Sequence, residues 1–342
     1  MKKIQLLIMR CVIPCFLCCG QIIAQEKLHY WNDSEAYLQN QASFIYEEAY
    51  KVLAAYPPGT ILHSERRLAL ASLDALMHDT RLDNGPAFMA YMNKIYNDIA
   101  INLRNNKPTG REIRIFRLYD HGFILQTPSV TIAIDMIRGG RADNPFVNES
   151  LIQSIVEQCD ILFITHTHGD HADPVVARMF GEQHKQVIVP EDFWKNPDIP
   201  LHVVRGNEIV RETIVLQGKN ISLPVQVYPG KQGNILNNVY IITLPEGQTI
   251  MHTGDQDFVE DLAAKTGIGK IDILFVQCWM LPMEQFVAGV NPALIITGHE
   301  NEMLHTIDHR ESYWLTFRRI SDVKAPYIIM AWGESYVSRF IP

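Results

Sequence analysis

Runs of basic residues are absent from this sequence, and acidic residues outnumber basic ones. Among its 342 residues, Lys and Arg total 30 and Asp and Glu total 38, which gives a formal net charge of −8 at pH 7. Proteins that bind nucleic acid usually present a basic patch or arm, so the composition argues against nucleic acid as the main partner. An acidic background can instead raise the local concentration of metal cations.

Cysteine is scarce in the part of the chain that we expect to fold. The sequence has six cysteines, and four of them precede residue 20: Cys11, Cys15, Cys18 and Cys19. Only Cys159 and Cys278 remain, one expected before its strand and the other after its strand. A disulfide scaffold is therefore excluded, and we do not expect these two cysteines to pair.

The N-terminus lacks an apolar run long enough to span a membrane. Three basic residues are followed by a short apolar stretch, which Pro14 interrupts, and then by the sequence QIIAQ. This order is typical of a secretory signal peptide cleaved after Ala24, whereas a membrane span needs about 20 apolar residues. We expect residues 1–24 to be removed and the protein to be periplasmic or secreted. Lipid attachment at Cys18 or Cys19 stays open.

Residues 25–110 have the spacing of helices and no cluster of ionisable groups. Apolar residues recur at intervals of three and four in three stretches, which begin near Asp33, Ser64 and Pro86. The sequence PPG ends the first stretch, and NNKPTG marks a linker after the third. The pattern predicts an all-helical N-terminal segment whose aromatic residues form core.

From Arg111 onward the pattern changes to short β-rich runs. They include IRIFRLY, FILQT, VTIAID, DILFIT, KQVIVP, TIMHTGD, DILFVQ and ALIITG. Helical stretches lie between several of them, such as NESLIQSIVEQ, QDFVEDLAAKTG and HRESYWLTFRRI. Strands interleaved with helices predict an α/β domain over residues 111–342, with helices on both faces of the strands.

One of these strands ends in a high density of ligand-type side chains. DILFIT continues directly into HTHGDHAD, which carries His166, His168, Asp170 and His171. His166 and His168 are two residues apart, so both imidazoles can face the same side. Imidazole and carboxylate are ligands of Zn²⁺ and similar ions, and a cation would neutralise them at the end of a buried strand.

Two later strands end in the same kind of residue. TIMHTGD delivers Asp255, and ALIITGHE delivers His299. We therefore predict that three strand ends converge on a metal site that could serve two ions.

With these motifs the sequence resembles the metallo-β-lactamase fold superfamily over about residues 111–342. Asp135 matches the aspartate of the family's first motif, and HTHGDH matches its H-x-H-x-D-H motif. Asp255 matches the aspartate that bridges two ions in the family, and His299 matches its last histidine. The resemblance implies a four-layer αβ/βα sandwich after the helical segment. It also implies two ions in a cleft, with Zn²⁺ expected and Mn²⁺ or Fe as alternatives.

One element of the family pattern is missing. A histidine is expected before the GD motif, where this chain reads VYPGKQGNILNNVY. Gln232 falls nearest to that position, with Lys231 as the alternative, and an amide oxygen binds metal more weakly than imidazole. His184 and His202 are substitutes from elsewhere in the sequence. The first ion is then held partly by Gln232, or it is bound loosely.

The chemistry implied by the resemblance is hydrolysis. A metal lowers the pKa of bound water towards neutrality and makes hydroxide available as nucleophile. Asp255 would bridge the ions, and Asp170 would hold one ion and orient the water. His305 and His309 are four residues apart and would share a face if helical, so either could protonate a leaving group. The alternative is that they orient metal ligands or pack.

Three further residues lie where a cleft could reach them. His121 follows the first strand, and we expect it to pack rather than to line the cleft. Cys278 and Trp279 end the DILFVQ strand. A place in or behind the pocket wall is expected for both, and a catalytic thiol is not.

Together these features predict an exported metal-dependent hydrolase that cleaves an ester, lactone or phosphodiester bond in a small or lipid-like substrate. Asp255 separates this chain from the lactamases that use a cysteine for the second ion, so the layout is similar to lactonases, phosphodiesterases and ascorbate-phosphate-lactonase-like proteins. DHADP is similar to the DHLD of phospholipase-D-like members. The alternatives are a phosphodiesterase or phospholipase, and a degenerate metal-binding or sensing domain without turnover. The acidic balance disfavours a nuclease. His168 disfavours an oxygen or nitric oxide reductase, because that subgroup has glutamate there.

Overall fold

The structure is a computed structural model that describes residues 30–339, except 192, 195–197, 205–207, 217, 260–261, 263–266 and 268. The expected signal peptide at residues 1–24 lies outside the described residues. Half of the stretch QDFVEDLAAKTG, in which a helix is expected, lies outside them as well.

The first part of the described chain is helical, which confirms the expectation from apolar spacing. Its helices are α1 (Ser34–Ala55), α2 (Ser64–Met77) and α3 (Pro86–Asn105), with a 3₁₀ turn at Thr80–Leu82. Asp33 caps α1, since its carboxylate accepts a hydrogen bond from the Ala36 amide at 3.1 Å. Pro86 occupies the first turn of α3, where its missing N–H costs nothing. Within the described residues, no helix is both long and apolar enough to cross a bilayer.

Sixteen strands follow within the described residues, and four further helices lie among them. The strands are β1 (Glu112–Arg117), β2 (Phe123–Gln126), β3 (Thr131–Ile134), β4 (Gly140–Arg141), β5 (Asn144–Pro145), β6 (Ile161–Phe163), β7 (Gln186–Pro190), β8 (His202–Val204), β9 (Val210–Leu216), β10 (Ile221–Gln232), β11 (Ile235–Thr243), β12 (Thr249–His252), β13 (Ile273–Gln277), β14 (Leu294–Gly298), β15 (Tyr327–Ile328) and β16 (Ser335–Arg339). The helices are α4 (Glu149–Val156), α5 (Pro174–Glu182), α6 (Met283–Val290) and α7 (Tyr313–Arg319).

The strands form two seven-stranded sheets and one short hairpin, β4–β5. The first sheet has the order β16-β1-β2-β3-β6-β7-β8, and the second has the order β15-β14-β13-β12-β11-β10-β9. In the first sheet β3, β6 and β7 are parallel neighbours. In the second sheet β12, β13 and β14 are parallel neighbours. The carboxyl ends of parallel strands meet at one edge, so the loops after these strands gather there.

Alternating side chains divide the core into an inner and an outer part. Ile273 and Phe275 of β13 belong to a buried cluster formed by residues of both sheets, whereas Leu274 and Val276 belong to a cluster shared with the helices. Both faces of the strand are therefore buried, which is why DILFVQ reads as a continuous apolar run. Two sheets packed together with helices outside them confirm the expected α/β sandwich.

The structure also contains elements that the sequence reading did not predict. They are the hairpin strands β4 and β5, the strands β8 and β9, the terminal strand β16 and the helix α6. The helix expected from His309 begins later, at Tyr313, and His309 lies in a 3₁₀ turn, Ile307–His309. A distant side chain sets this start, since the Asp74 carboxylate of α2 accepts hydrogen bonds from the Tyr313 and Trp314 amides at 2.8 and 2.9 Å.

The helical segment packs into the same outer core as the sheets. Phe88 of α3 meets Phe146 edge to face, with ring centroids 4.9 Å apart. Arg66 of α2 is 1% exposed and forms two 2.5 Å hydrogen bonds to the Glu334 carboxylate. It also donates to the Ile329 carbonyl at 2.8 Å. This ion pair ties α2 to the chain just before β16.

Replacing Arg66, the cationic partner of the Arg66–Glu334 ion pair, should destabilise the whole fold. Arg66→Met leaves the Glu334 carboxylate desolvated and unpaired, which costs about 3–5 kcal/mol in comparable buried pairs. We expect a loss of that size in the free energy of unfolding, measured by urea denaturation.

The double variant Arg66→Met/Glu334→Gln should recover part of the loss, because no charge is then left buried. Arg81→Met removes an exposed pair with Asp79 in the same segment and should change stability little. Equal losses in the single and double variants would contradict the role assigned to the pair.

Candidate metal centre

Side chains from both sheets meet where the parallel strands end. His166 and His171 follow β6, Asp255 follows β12 and His299 follows β14. Asp255 contacts His171 and His299. Its Oδ1 is 3.3 Å from His171 Nε2, and its Oδ2 is 3.3 Å from His299 Nε2. The structure thus brings together side chains that are more than 120 residues apart in sequence.

The ligand-type atoms fall into two adjoining groups within the described residues. One group is His166, His168 and Asp255. The other is Asp120, Asp170, His171 and His299. In each group the nitrogen or oxygen atoms offered lie within 4.8 Å of one another, so each group could hold one ion. Every residue predicted from the H-x-H-x-D-H, GD and GHE motifs is present in one of the groups, while its role as a ligand stays a prediction.

Several buried polar atoms at this point have no hydrogen-bond partner. They are Nε2 of His166, His171 and His299, Oδ1 of Asp255, both carboxylate oxygens of Asp120 and Oε1 of Gln232. Buried polar atoms are normally satisfied, and leaving so many unsatisfied at one place is costly. A metal cation would satisfy them together, so the residues present fit the ions that the motifs imply.

Electrostatics at the centre point the same way. Burial lowers the pKa of His166 to about 3, which favours the neutral, ligand-competent imidazole. Burial opposes a charge on His171, but the carboxylates of Asp255, Asp170 and Asp135 together raise its pKa well above the ordinary value. Burial likewise disfavours the Asp255 carboxylate, yet His171 and His299 hold its pKa well below the ordinary value. The carboxylates therefore require positive charge beside them.

Asp135 fixes the orientation of His171 without facing the centre itself. Its Oδ2 is 2.8 Å from His171 Nδ1 and accepts a 2.7 Å hydrogen bond from the Thr165 hydroxyl, while its Oδ1 accepts from the Thr165 amide at 2.7 Å. A carboxylate on Nδ1 leaves Nε2 directed at the centre and raises the basicity of the ring.

Unusual backbone conformations place several of these side chains. Asp120, Asp135 and His299 have φ angles of 57°, 47° and 72°. Left-handed conformations of residues other than glycine are uncommon and tend to occur at functional sites. Gly254 in the HTGD turn has φ 52°, and a Cβ there would lie 2.2 Å from Asn237 Oδ1. The turn that presents Asp255 therefore requires glycine.

Near the position where the family pattern expects a histidine, Gln232 lies beside Asp255 and lines the cavity described below. Its Nε2 donates to Asp255 Oδ2 at 3.1 Å, and its Oε1 has no partner. Lys231 points to solvent instead. His184 is exposed in the turn after α5, and His202 pairs with Glu212 at 2.7 Å. Within the described residues, neither histidine joins either ligand group, so both substitutes are wrong.

Asp120 is the residue at this centre that the sequence reading missed. It follows β1 in the stretch YDHGF and is fully buried. Its only signal in the sequence is its place directly after a strand, which it shares with Asp135 and Asp255. Its neighbour His121 is also fully buried, with its ring 4.3 Å from that of His252, in agreement with packing.

A cavity of about 520 Å³ opens beside the two groups. Its lining comprises His168, Gly169, Asp170, Gln232, Asp255, Trp279, His299, His305, His309 and Glu311. Trp279 forms part of the wall, with its ring 6.0 Å from that of His299, whereas Cys278 is buried behind the wall.

His305 and His309 line this cavity, but not as one helix face. The expected i, i+4 arrangement is wrong, because His305 lies in a turn and His309 in the 3₁₀ turn after it. The ring of His305 is 6.1 Å from that of His299, and its Nδ1 faces the His309 carbonyl at 3.3 Å. His309 is 73% exposed and stands at the mouth of the cavity.

Two sheets carrying paired histidine–aspartate groups at a common edge define a metallo-hydrolase type of fold. The family model described as the beta-lactamase superfamily domain matches residues 118–293, just over half of the chain. The chain therefore belongs to the beta-lactamase superfamily, which confirms the resemblance seen in the motifs. A search of curated proteins finds no match.

Solved structures resemble the chain at low sequence identity. The metallo hydrolase Igni18 from Ignicoccus hospitalis KIN4/I is 13% identical over 67% of this chain and 100% of that chain, with a TM-score of 0.48. An isothiocyanate hydrolase from Delia radicum gut bacteria is 13% identical over 65% of this chain and 98% of that chain, with a TM-score of 0.47. CmlA, a diiron β-hydroxylase from Streptomyces venezuelae, is 16% identical over 68% of this chain and 55% of that chain, with a TM-score of 0.46. At these values the likenesses say nothing about activity.

Proposed function

We propose that the protein is an exported metal-dependent hydrolase that cleaves a neutral ester or lactone. One observation carries the proposal: buried imidazole and carboxylate atoms without partners converge from both sheets beside an open cavity of about 520 Å³. Such a constellation suits a metal-assisted hydrolysis better than a purely structural ion, because the ligand groups face a space that can admit a substrate.

The residues divide into two ligand sets with a shared member. His166, His168 and Gln232 would hold the first ion, and Asp170, His171 and His299 would hold the second. Asp255 lies between the sets and would contact both. When bound, the ions lower the pKa of a water and polarise a substrate oxygen.

The protein's own groups would then handle the proton transfers. Asp170 is 15% exposed at the cavity floor and can accept a hydrogen bond from the attacking water. His305 lines the cavity beside His299, and we assign it to protonation of the leaving group. His309 is further out and is assigned to substrate contact at the mouth.

The lining favours a neutral substrate over a phosphodiester. Among the described residues that line the cavity there is no Lys or Arg, and Glu311 adds an acid. Proteins that bind phosphate normally supply Arg, Lys or helix amides for its oxygens. Trp279 offers an apolar surface instead. An acyl substrate such as an ester or lactone therefore fits this cavity better than a phospholipid headgroup, and the phosphodiesterase or phospholipase branch becomes the alternative.

Metal dependence of hydrolysis tests the proposal directly. The purified protein should contain about two ions per chain by elemental analysis and should hydrolyse chromogenic esters or lactones faster than a phosphodiester. Chelation should abolish the activity, and Zn²⁺, Mn²⁺ or Fe²⁺ should restore it. Asp255→Ala should lose both metal and turnover, since this residue serves both sets.

Two variants serve as controls for that experiment. Asp322→Ala, at an exposed position away from the cavity, should keep both metal and turnover. His305→Gln should keep the metal but lower kcat by about 10²–10⁴-fold, the usual contribution of a general acid. A protein with one ion or none and no turnover of any substrate would instead be a degenerate binding or sensing domain.

Export is a separate part of the proposal and rests on the N-terminal sequence. Expressed from Met1 in a Gram-negative host, the protein should be recovered outside the cytoplasm with Gln25 as its first residue, as read by mass spectrometry. Retention of residues 1–24 on a cytoplasmic protein would contradict export. A chain that begins with a lipid-modified Cys18 or Cys19 would replace the proposed cleavage with an anchor.

A further inference from the structure

Asp120 is a buried carboxylate that the family motifs leave without a role. It follows β1 with a φ of 57°, is 0% exposed, and has no hydrogen-bond partner on either oxygen. An ionised carboxylate without a partner is among the most costly groups to bury. A residue held in an uncommon backbone conformation at such cost requires a compensating interaction.

Its two oxygens face two different imidazoles of the second ligand set. Oδ1 is 3.3 Å from His299 Nδ1, the nitrogen that points away from the centre. Oδ2 is 3.6 Å from His171 Nε2, the nitrogen that points towards the centre. Asp170 Oδ2 is 3.5 Å from that same nitrogen. Asp120 therefore stands in nearly the same relation to His171 as a residue already assigned to the second ion.

We infer that Asp120 is an additional ligand of the second ion, through Oδ2, while its Oδ1 orients His299. The inference rests on the proposed metal centre but not on hydrolysis. The second ion would then meet two imidazole nitrogens and three carboxylate oxygens, from Asp120, Asp170 and Asp255. Five donors rich in oxygen exceed the four of a typical zinc site and suit Mn²⁺ or iron.

Metal binding by Asp120→Asn tests this inference without an activity assay. Equilibrium dialysis with elemental analysis should show a weaker second equivalent of metal, with a larger loss for Mn²⁺ than for Zn²⁺. The loss for Mn²⁺ should exceed the roughly 10–100-fold that removal of an outer carboxylate causes. With Co²⁺ as the probe, the visible absorption of the second equivalent should strengthen, because the coordination number falls.

Asp135→Asn is the matched comparison, since Asp135 orients His171 through Nδ1 without reaching the centre. Asp135→Asn should weaken metal binding but leave the Co²⁺ spectrum unchanged. In the metal-free protein, Asp120→Asn should unfold cooperatively with a melting temperature close to that of the wild type, which shows that the variant folds. An unchanged second equivalent and Co²⁺ spectrum in Asp120→Asn would overturn the inference. A wild-type protein that binds no second ion would overturn both the inference and the metal centre.

A second, independent set of contacts connects the helical segment to the wall of the cavity. The loop of residues 300–312 carries His305, His309 and Glu311. Asp74 of α2 is 5% exposed and accepts a hydrogen bond from Asn301 Nδ2 at 3.0 Å, in addition to capping α7. Asp74 therefore holds both ends of the loop.

Arg310 makes the connection to His305 itself. Its guanidinium donates two hydrogen bonds to the Asp83 carboxylate, at 2.8 and 2.6 Å, and one to the Met77 carbonyl. Its Nε donates to the His305 carbonyl at 3.1 Å. Arg310 is 3% exposed and the Asp83 side chain is 23% exposed, so this bidentate pair is partly shielded from water. The pair links the helical segment directly to the backbone of the residue assigned as proton donor.

We propose that Asp74 and Asp83 are positioning residues that hold this wall against the metal centre. The helical segment is then a working part of the active site. This second proposal rests on the proposed function for its kinetic readout, but its structural readout is independent of turnover.

Asp83→Asn tests the role of the helical segment, with Asp79→Asn as the matched control at an exposed pair of the same segment. Hydrogen exchange of the amides in residues 300–312 should accelerate in Asp83→Asn and not in Asp79→Asn. The KM for the ester or lactone should rise several-fold while metal content stays at the wild-type value, and Asp83→Glu should recover part of the KM.

The two readouts separate the possible failures. Unchanged exchange in residues 300–312 would overturn the positioning role even if no substrate is turned over. Faster exchange with an unchanged KM would show that Asp83 holds residues 300–312 but that this wall does not contact the substrate. That outcome would overturn the proposed role of the helical segment in the active site.

Discussion

The structure depends on one electrostatic constraint: acids and imidazoles are buried together at the junction of two sheets, and the acids stay ionised only with positive charge beside them. Asp255 is the member on which the others converge, since it lies within 3.3 Å of histidines from two separate strand ends. Burial alone would protonate such carboxylates, and only positive charge beside them keeps them ionised. Three features place these side chains. They are Gly254 in the HTGD turn, the left-handed backbone at Asp120, Asp135 and His299, and the contact between Asp135 and His171.

Strand ends are the natural place for such a cluster. A side chain within a central strand such as β13 faces either the core between the sheets or the core beneath the helices, and both are apolar here. The first residues after a strand are freed from that alternation, and in parallel strands they all appear at the same edge. The apolar interior thus supplies a rigid frame, and the polar residues are confined to its rim, where a cavity can reach them.

The sequence was most informative where the ligands are local or follow parallel strands. His166, His168, Asp170 and His171 are adjacent in sequence, and Asp255 and His299 end runs that read clearly as strands. Asp120 was not predicted because β1 is antiparallel to both of its neighbours. Nothing in the sequence pattern therefore places the end of β1 at the common edge of the parallel strands. The turn at His305 and His309 was not predicted for another reason. Asp74, more than 200 residues earlier, determines that the following helix, α7, begins at Tyr313. Contacts between distant segments leave no periodicity to read.

Charge balance connects the ligand count to the kind of substrate. The two ligand groups contain three carboxyl groups, from Asp120, Asp170 and Asp255, which carry a charge of −3 when all are ionised. Two divalent ions would bring +4 and would leave the centre about one positive charge (4 − 3 = 1) before a nucleophile is added. The chain as a whole carries −8, and the described lining offers no Lys or Arg to add to that one charge.

A centre of this kind attracts an anionic substrate weakly, since its own acids have already neutralised most of the metal charge. It can still polarise a carbonyl oxygen, which requires only a local positive charge within contact distance. The oxygen-rich second ligand set that we infer therefore agrees with the proposed preference for acyl over phosphoryl substrates.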